Sequence, residues 1–140
     1  MTHDDALVLR DHGIKPSAQR VAVASYVLHT HDHPSAEEVF AQVRKRFPMV
    51  SRGTIYNTLN LFVEKGLLRG FSMTGGHAVF DANVESHHHF IDERTGKIYD
   101  VPWDEIRVSD VSKLRDFDVS EYQVVLRGRK RDGTKRRKTV

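Results

Sequence analysis

Three serines, Ser17, Ser35 and Ser51, each stand directly before a segment whose apolar residues recur at helical spacing. Serine in this position caps a helix, because its hydroxyl accepts a hydrogen bond from a backbone N–H of the first turn. Together with an apolar-periodic segment over residues 3–11, these signals predict four helices in the first half of the 140-residue chain. The fourth begins at Ser51 and ends before Gly66, a residue type common just after a helix C-terminus.

Two short apolar stretches, 67–71 and 77–80, follow the fourth helix and flank the turn residues 74–76. This pattern predicts a two-stranded hairpin. Helices followed by such a hairpin are typical of a winged helix-turn-helix DNA-binding domain, which we predict over residues 1–81. The third and fourth helices then form the turn-helix pair, and the fourth helix faces a DNA groove. Its N-terminal half offers polar groups for base reading, although a merely solvated polar face is the alternative: Ser51, Arg52, Thr54, Tyr56, Asn57 and Thr58.

The second half of the chain has a different pattern, and we predict a hinge over residues 82–85. Residues 90–91 and 97–101 predict a second hairpin, residues 103–115 a helix and residues 122–126 a last strand. So small a sheet buries little apolar surface alone, so we expect it to pair with a second copy of the chain. The predicted fold class is therefore α+β, with a small C-terminal α/β dimerisation domain over residues 86–127.

The net charge of +3 is unevenly distributed. Residues 1–81 carry nine basic and eight acidic side chains, residues 82–126 five and ten, and residues 127–140 eight and one. The basic tail, 128–140, is able to follow a phosphate backbone or an anionic surface, or simply to increase solubility. No apolar run approaches the roughly 20 residues of a membrane span. The chain has no cysteine, which excludes disulfides, Cys-ligated zinc and thiol catalysis and fits a cytoplasmic protein.

Three consecutive histidines, His87, His88 and His89, are the strongest chemical signal in the sequence. On a strand His87 and His89 point to one face and His88 to the other, so two imidazoles can converge on one metal. Asp81 and Asp100 flank them. Imidazole and carboxylate ligands without thiolate suit Fe(II), Mn(II) or Zn(II). An exposed polar strand is the alternative, and a small His/Asp metalloenzyme is a more remote one.

Several motifs resemble those of the ferric uptake regulator (Fur) family of metal-dependent transcriptional repressors. They occur in the family's order, at residues 13–20 (GIKPSAQR), 33–39 (HPSAEEV), 51–59 (SRGTIYNTL), 64–67 (EKGL), 80–81 (FD) and 87–90 (HHHF). The resemblance covers residues from about 10 to 127. It implies a homodimer that binds an inverted-repeat operator in double-stranded DNA and represses transcription.

The resemblance also implies a regulatory metal, Fe(II) or Mn(II), whose ligands come from both predicted domains: His33, Asp81, His87, His89 and Asp100. This three-His, two-Asp set is similar to that of the family's peroxide-sensing branch. There, oxidation of a ligand histidine such as His33 or His87 destroys the site and releases the DNA. Aspartate rather than glutamate at position 81 favours this branch.

The chain departs from the family in two places. The positions of the two Cys-x-x-Cys pairs hold Asp92 and Thr95 and the region 128–131, so the structural zinc is absent. A further His/acid site of the family is broken, because Ser86 stands where a histidine is expected and Arg107 where a glutamate is expected. We therefore expect one metal site per subunit and a dimer that depends on packing alone.

A second branch, the iron response regulators, shares the triple histidine and implies a different signal. In that case His87, His88 and His89 would bind haem, and the protein would bind DNA without a metal.

For DNA, the resemblance implies that Tyr56 and Asn57, with Arg52, enter the major groove. Lys15 is implied to reach a minor groove or a phosphate, while Arg20, Ser51 and Thr54 position the backbone.

Overall fold

A computed structural model describes residues 4–72 and 78–132, and the chain forms two compact units, Met1–Val84 and Glu85–Val140. No helix in the described ranges is long and apolar enough to cross a membrane.

The first unit contains four helices, α1 (Asp5–Asp11), α2 (Ala18–Val27), α3 (Ala36–Val43) and α4 (Arg52–Glu64). The three predicted serine caps are confirmed. Their hydroxyls accept hydrogen bonds from the backbone N–H groups three residues later, at 3.2, 3.2 and 3.0 Å. At Ser35 the carboxylate of Glu38 accepts from the serine N–H in return, which completes a capping box. Gly66, with φ +80°, follows α4 as predicted.

The helices pack around one apolar core, and a hairpin completes the unit. Leu9, Val23, Val39, Ile55 and Phe62, contributed by all four helices, are completely buried. Strand β1 (Arg69–Ser72) pairs antiparallel with β2 (Ala78–Asp81), and the predicted turn at 74–76 lies outside the described residues. A bridge from β2 to Ser35 fixes the hairpin against the start of α3. The fold is the predicted winged helix-turn-helix.

The second unit is a three-stranded sheet. The central strand β3 (His87–Asp92) pairs antiparallel with β4 (Ile98–Pro102) and parallel with β5 (Val125–Gly128). Two short 3₁₀ turns, Trp103–Glu105 and Val111–Lys113, stand where we predicted a helix over residues 103–115. That prediction was wrong, because Val108 and Val111 disfavour helix and Asp110 adopts a left-handed conformation with φ 69°.

Candidate metal centre and nucleic-acid interface

His33 and Asp81 form a buried pair in the first unit. The Nε2 atom of His33 lies 3.2 Å from Oδ2 of Asp81, and the two side chains are 3% and 8% exposed. They meet because the N–H of Phe80 donates to the carbonyl of Pro34 (2.9 Å), which brings the end of β2 beside the segment before α3. The other carboxylate oxygen of Asp81 accepts a hydrogen bond from the N–H of Asn83 at 2.9 Å.

His87, His89 and Asp100 form a second cluster, in the second unit. The two imidazole rings lie on the same face of β3 with their centroids 4.6 Å apart. Asp100 is opposite His89 in the register of β3 and β4, so its carboxylate reaches both rings. Its Oδ1 atom lies 3.3 Å from Nε2 of His87 and 3.6 Å from Nε2 of His89. Both histidines are buried, so the alternative of an exposed polar strand is wrong.

Hydrogen bonds from the Nδ1 atoms to carbonyl oxygens orient these two rings. Nδ1–H of His87 donates to the backbone carbonyl of Glu85, and Nδ1–H of His89 donates to Oε1 of Gln123, both at 2.6 Å. Carbonyl oxygens only accept hydrogen bonds, so each neutral ring carries its proton on Nδ1 and a lone pair on Nε2. Two lone pairs therefore face one carboxylate oxygen, an arrangement that a cation between them stabilises. The donor set fits a divalent metal such as Fe(II), Mn(II) or Zn(II), with the carbonyls as outer-shell partners.

Sequence reasoning missed Gln123. It is 34 residues from His89 in the chain, and no motif or spacing links the two.

His88 lies on the opposite face of β3 and is fully buried. Its ring stacks on Trp103 with a centroid distance of 4.6 Å and an interplanar angle of 13°. Its Nδ1 accepts a hydrogen bond from the N–H of Val124 at 2.9 Å, so the proton of the neutral ring is on Nε2, which has no hydrogen-bond partner among the described residues. Neither nitrogen then offers a lone pair to a metal. The structure brings together His87 and His89, but not His88.

The exposed face of α4 carries Tyr56 and Asn57. Tyr56 is 44% exposed, and the opposite face packs into the core through Ile55 and Leu59. Thr58, which the sequence placed in the exposed polar set, is buried, and its hydroxyl donates to the carbonyl of Thr54 at 2.7 Å. The base-reading candidates on this helix are therefore Tyr56 and Asn57.

Two hydroxyl groups define the start of α4. The Ser51 hydroxyl caps the helix and also donates to Oγ1 of Thr54 at 3.0 Å. Both side chains are therefore engaged in forming the helix start, which fits a positioning role.

Arg52 is held against α3. Its Nε lies 3.1 and 3.2 Å from the two carboxylate oxygens of Glu37, and its guanidinium lies 4.7 Å above the ring of Phe40. In this arrangement the guanidinium group is engaged by two side chains of α3. Nothing in the local sequence pattern predicts Glu37 as the partner of Arg52.

Lys15 and Arg20 lie at the start of α2. Lys15 is exposed, and its backbone carbonyl accepts a hydrogen bond from Nη1 of Arg20 at 2.9 Å. Arg20 also lines a cavity of about 190 Å³ that α2 and α4 share, together with Ser17, Gln19, Thr54, Asn57 and Thr58. The structure thus brings Arg20 close to the part of α4 that carries Asn57.

Comparisons with known proteins all indicate the same family. The model of the ferric uptake regulator family matches residues 11–127. The peroxide-responsive repressor PerR of Staphylococcus epidermidis is 32% identical over 122 residues, which are 86% of this chain and 81% of that protein. The solved structure of the ferric uptake regulator from Pseudomonas aeruginosa with manganese is 28% identical and has a TM-score of 0.68, covering 93% of this chain and all of that one. The Vibrio cholerae ferric uptake regulator (24% identity, TM-score 0.71, 90% and 99% coverage) shares the fold.

Proposed function

This chain belongs to the ferric uptake regulator family, whose members are metal-dependent transcriptional repressors that bind DNA as dimers, and we propose that it is an Fe(II)- or Mn(II)-activated, peroxide-sensing repressor. The observation that carries this proposal is the convergence of Nε2 of His87 and Nε2 of His89 on one carboxylate oxygen of Asp100, at 3.3 and 3.6 Å. Family membership also excludes the alternative of a small metalloenzyme, because these proteins are regulators.

We assign the regulatory metal to the five ligands that family membership implies: His33, Asp81, His87, His89 and Asp100. The support is chemical. Each unit contributes a buried imidazole beside a carboxylate, and the set contains no soft sulfur ligand, which favours Fe(II) or Mn(II) and permits Zn(II). A bound Fe(II) supplies the chemistry by which peroxide oxidises a ligand histidine. The relatives named as peroxide-responsive repressors support this signal over haem, and the separation of His88 from His87 and His89 also disfavours haem binding by the triple histidine.

For the operator, we propose that Tyr56 and Asn57 read base edges in the major groove. Asparagine pairs in a bidentate manner with adenine, and both side chains are exposed on α4. Three side chains position the DNA phosphate backbone: Arg20, Ser51 and Thr54. Lys15 reaches a phosphate or a minor groove. Arg52 contacts the DNA once its ion pair with Glu37 is broken. A two-fold symmetric dimer then requires an inverted-repeat site.

The second unit carries the surface that we propose for dimerisation. Six apolar side chains of this unit, each at least 36% exposed, come from the segment that leads into β5 and from β5 itself: Leu114, Phe117, Val119, Tyr122, Val125 and Leu126. β5 is also an edge strand of the sheet. Exposed apolar residues in this number are typical of an interface.

The proposal is tested with His89→Ala. Because the substitution removes one of the two imidazoles beside Asp100, we expect Mn(II) affinity to fall and metal-dependent binding to the protein's own promoter to be lost. His12→Ala, which removes an exposed histidine of the first unit, is the matched control and should change neither. An unchanged Mn(II) affinity in His89→Ala would contradict the site assignment.

A further inference from the structure

Asp92 joins two separate parts of the second unit. Its carboxylate is buried, with the residue only 3% exposed, and it accepts hydrogen bonds from the backbone N–H of Arg94 (2.9 Å) and of Lys130 (3.4 Å). The β3–β4 turn is thereby connected to the chain that leaves β5. These N–H donors, that of Arg94 above all, hold the pKa of Asp92 below its ordinary value, so the carboxylate is charged at neutral pH.

Two further hydrogen bonds close the same junction. The N–H of Glu93 donates to the carbonyl of Gly128 at 2.8 Å, and Nη2 of Arg94 donates to the carbonyl of Lys130 at 3.2 Å. The first residues of the basic tail are therefore fixed on the sheet, instead of leaving it as a solvated end.

This junction gathers positive charge on one aromatic ring. The ammonium groups of Lys130 and Lys97 lie 4.6 and 5.4 Å from the centre of the Tyr99 ring. The cations of the turn and of the anchored segment are all exposed, and we refer to them as the tail-anchor patch: Arg94, Lys97, Arg129, Lys130 and Arg131.

The side chains of this patch form no close ion pairs. Within residues 4–72 and 78–132, no carboxylate lies within ion-pair distance of any of its five cations. Glu93 and Asp132 are exposed acids of the same stretches, and the buried carboxylate of Asp92 interacts electrostatically with Arg94. The five cations outnumber these three acids, so the patch keeps a net positive charge, and a cluster of exposed Lys and Arg side chains matches the phosphates of DNA.

We propose that the tail-anchor patch binds the phosphate backbone of the operator DNA, independently of base sequence, and that Asp92 organises it. This inference rests on the proposed function, because it assumes that the chain binds DNA. It adds a second contact surface, on the second unit, to the α4 helix of the first. Since phosphate contacts carry no sequence information, the patch adds affinity equally to operator and random DNA.

The test is the salt dependence of DNA binding by the full chain with Mn(II). The variant Arg129→Gln/Lys130→Gln/Arg131→Gln removes three cations, and each lost phosphate contact lowers the slope of log affinity against log salt by about 0.9, so we expect a fall of up to about 2.7. The loss should be equal on promoter and random duplexes, with Mn(II) affinity unchanged. The matched control, Arg107→Gln/Lys113→Gln/Arg115→Gln, removes the same charge from exposed positions of the same unit and should leave the slope unchanged.

The variant Asp92→Asn distinguishes an organising role of Asp92 in the patch from the effect of its negative charge on DNA affinity. The substitution makes the protein more positive, so a purely electrostatic effect raises DNA affinity. If Asp92 organises the patch, weaker anchoring of Lys130 lowers DNA affinity instead. Increased affinity in this variant would overturn the organising role.

The outcomes also separate the patch from the repressor function. An unchanged slope in the triple variant, with promoter selectivity intact, would overturn the patch alone. If the triple variant has a reduced slope but the wild type does not distinguish promoter from random DNA, the patch is supported and the proposed function is contradicted. If the triple variant loses binding only to phosphatidylserine vesicles, with DNA binding unchanged, the patch is a membrane-surface site and the inference is wrong.

Discussion

Gln123→Leu tests the metal centre through a residue that does not touch the metal. The substitution removes the acceptor of the 2.6 Å hydrogen bond from Nδ1–H of His89 and keeps a side chain of similar size. The ring then loses the partner that fixes both its orientation and the tautomer in which Nε2 faces Asp100. We therefore expect weaker metal binding without loss of any ligand.

The size of this effect follows from the geometry. Loss of an outer-shell partner lowers metal affinity about 10- to 100-fold, or about 1.4–2.7 kcal/mol. Only one of the two imidazoles beside Asp100 is affected, because His87 keeps its hydrogen bond to the backbone carbonyl of Glu85. We therefore expect a value at the lower end, about tenfold.

The assay is calorimetric titration of metal-free protein with Mn(II) at constant pH. Gln123→Glu is the matched control, because it keeps an acceptor oxygen and adds negative charge, and its Mn(II) affinity should equal or exceed that of the wild type. Thermal unfolding without metal should be similar in both variants. Equal losses in the Leu and Glu variants, or no loss in Gln123→Leu, would refute the reasoning.

Three further predictions concern DNA binding and stability. Asn57→Ala should lower discrimination between operator and random DNA by about 1–3 kcal/mol, measured by competition gel shift; an equal loss on both duplexes would argue against base reading. Glu37→Gln should strengthen DNA binding, because it frees Arg52 and removes a carboxylate near the DNA, while thermal stability changes by less than about 1 kcal/mol, as for other exposed ion pairs; weaker binding would mean that Glu37 positions Arg52 productively. For Asp92, whose pKa is lowered in the folded state, the stabilising contribution is complete above the ordinary pKa of about 3.8 and is lost as the pH falls through the folded pKa. Urea unfolding of the wild type should therefore lose stability on acidification below about pH 4 to a greater extent than Asp92→Asn, and parallel pH profiles would contradict this role.

Local signals were sufficient to predict the first unit. Each serine cap acts within its own first turn, so Ser17, Ser35 and Ser51 determine where helices begin regardless of distant contacts. The second unit depends more on tertiary pairing. Strand β5 begins at Val125, three residues after the predicted start, because its register is set by parallel pairing with β3 rather than by its own pattern.

The candidate site likewise combines features that local sequence predicts with features that depend on distant residues. Strand alternation was enough to predict that His87 and His89 share a face and that His88 does not. The partners of these side chains, Gln123 for His89 and the Val124 N–H for His88, come from a segment more than thirty residues later in the chain. Nothing in the local pattern of a loop indicates which distant ring it will contact, so these hydrogen bonds can be identified only from the folded structure.

The most direct test of the central claim is a gel shift of chelator-treated protein on its own promoter, with and without Mn(II). Metal-activated repression predicts a shifted complex only when Mn(II) is present. With Fe(II) in place of Mn(II), the complex should be lost on addition of peroxide, and mass spectrometry should then find oxidised His33 or His87. A complex of equal strength without any metal would contradict the account and favour a haem- or iron-status regulator whose metal-free form binds DNA.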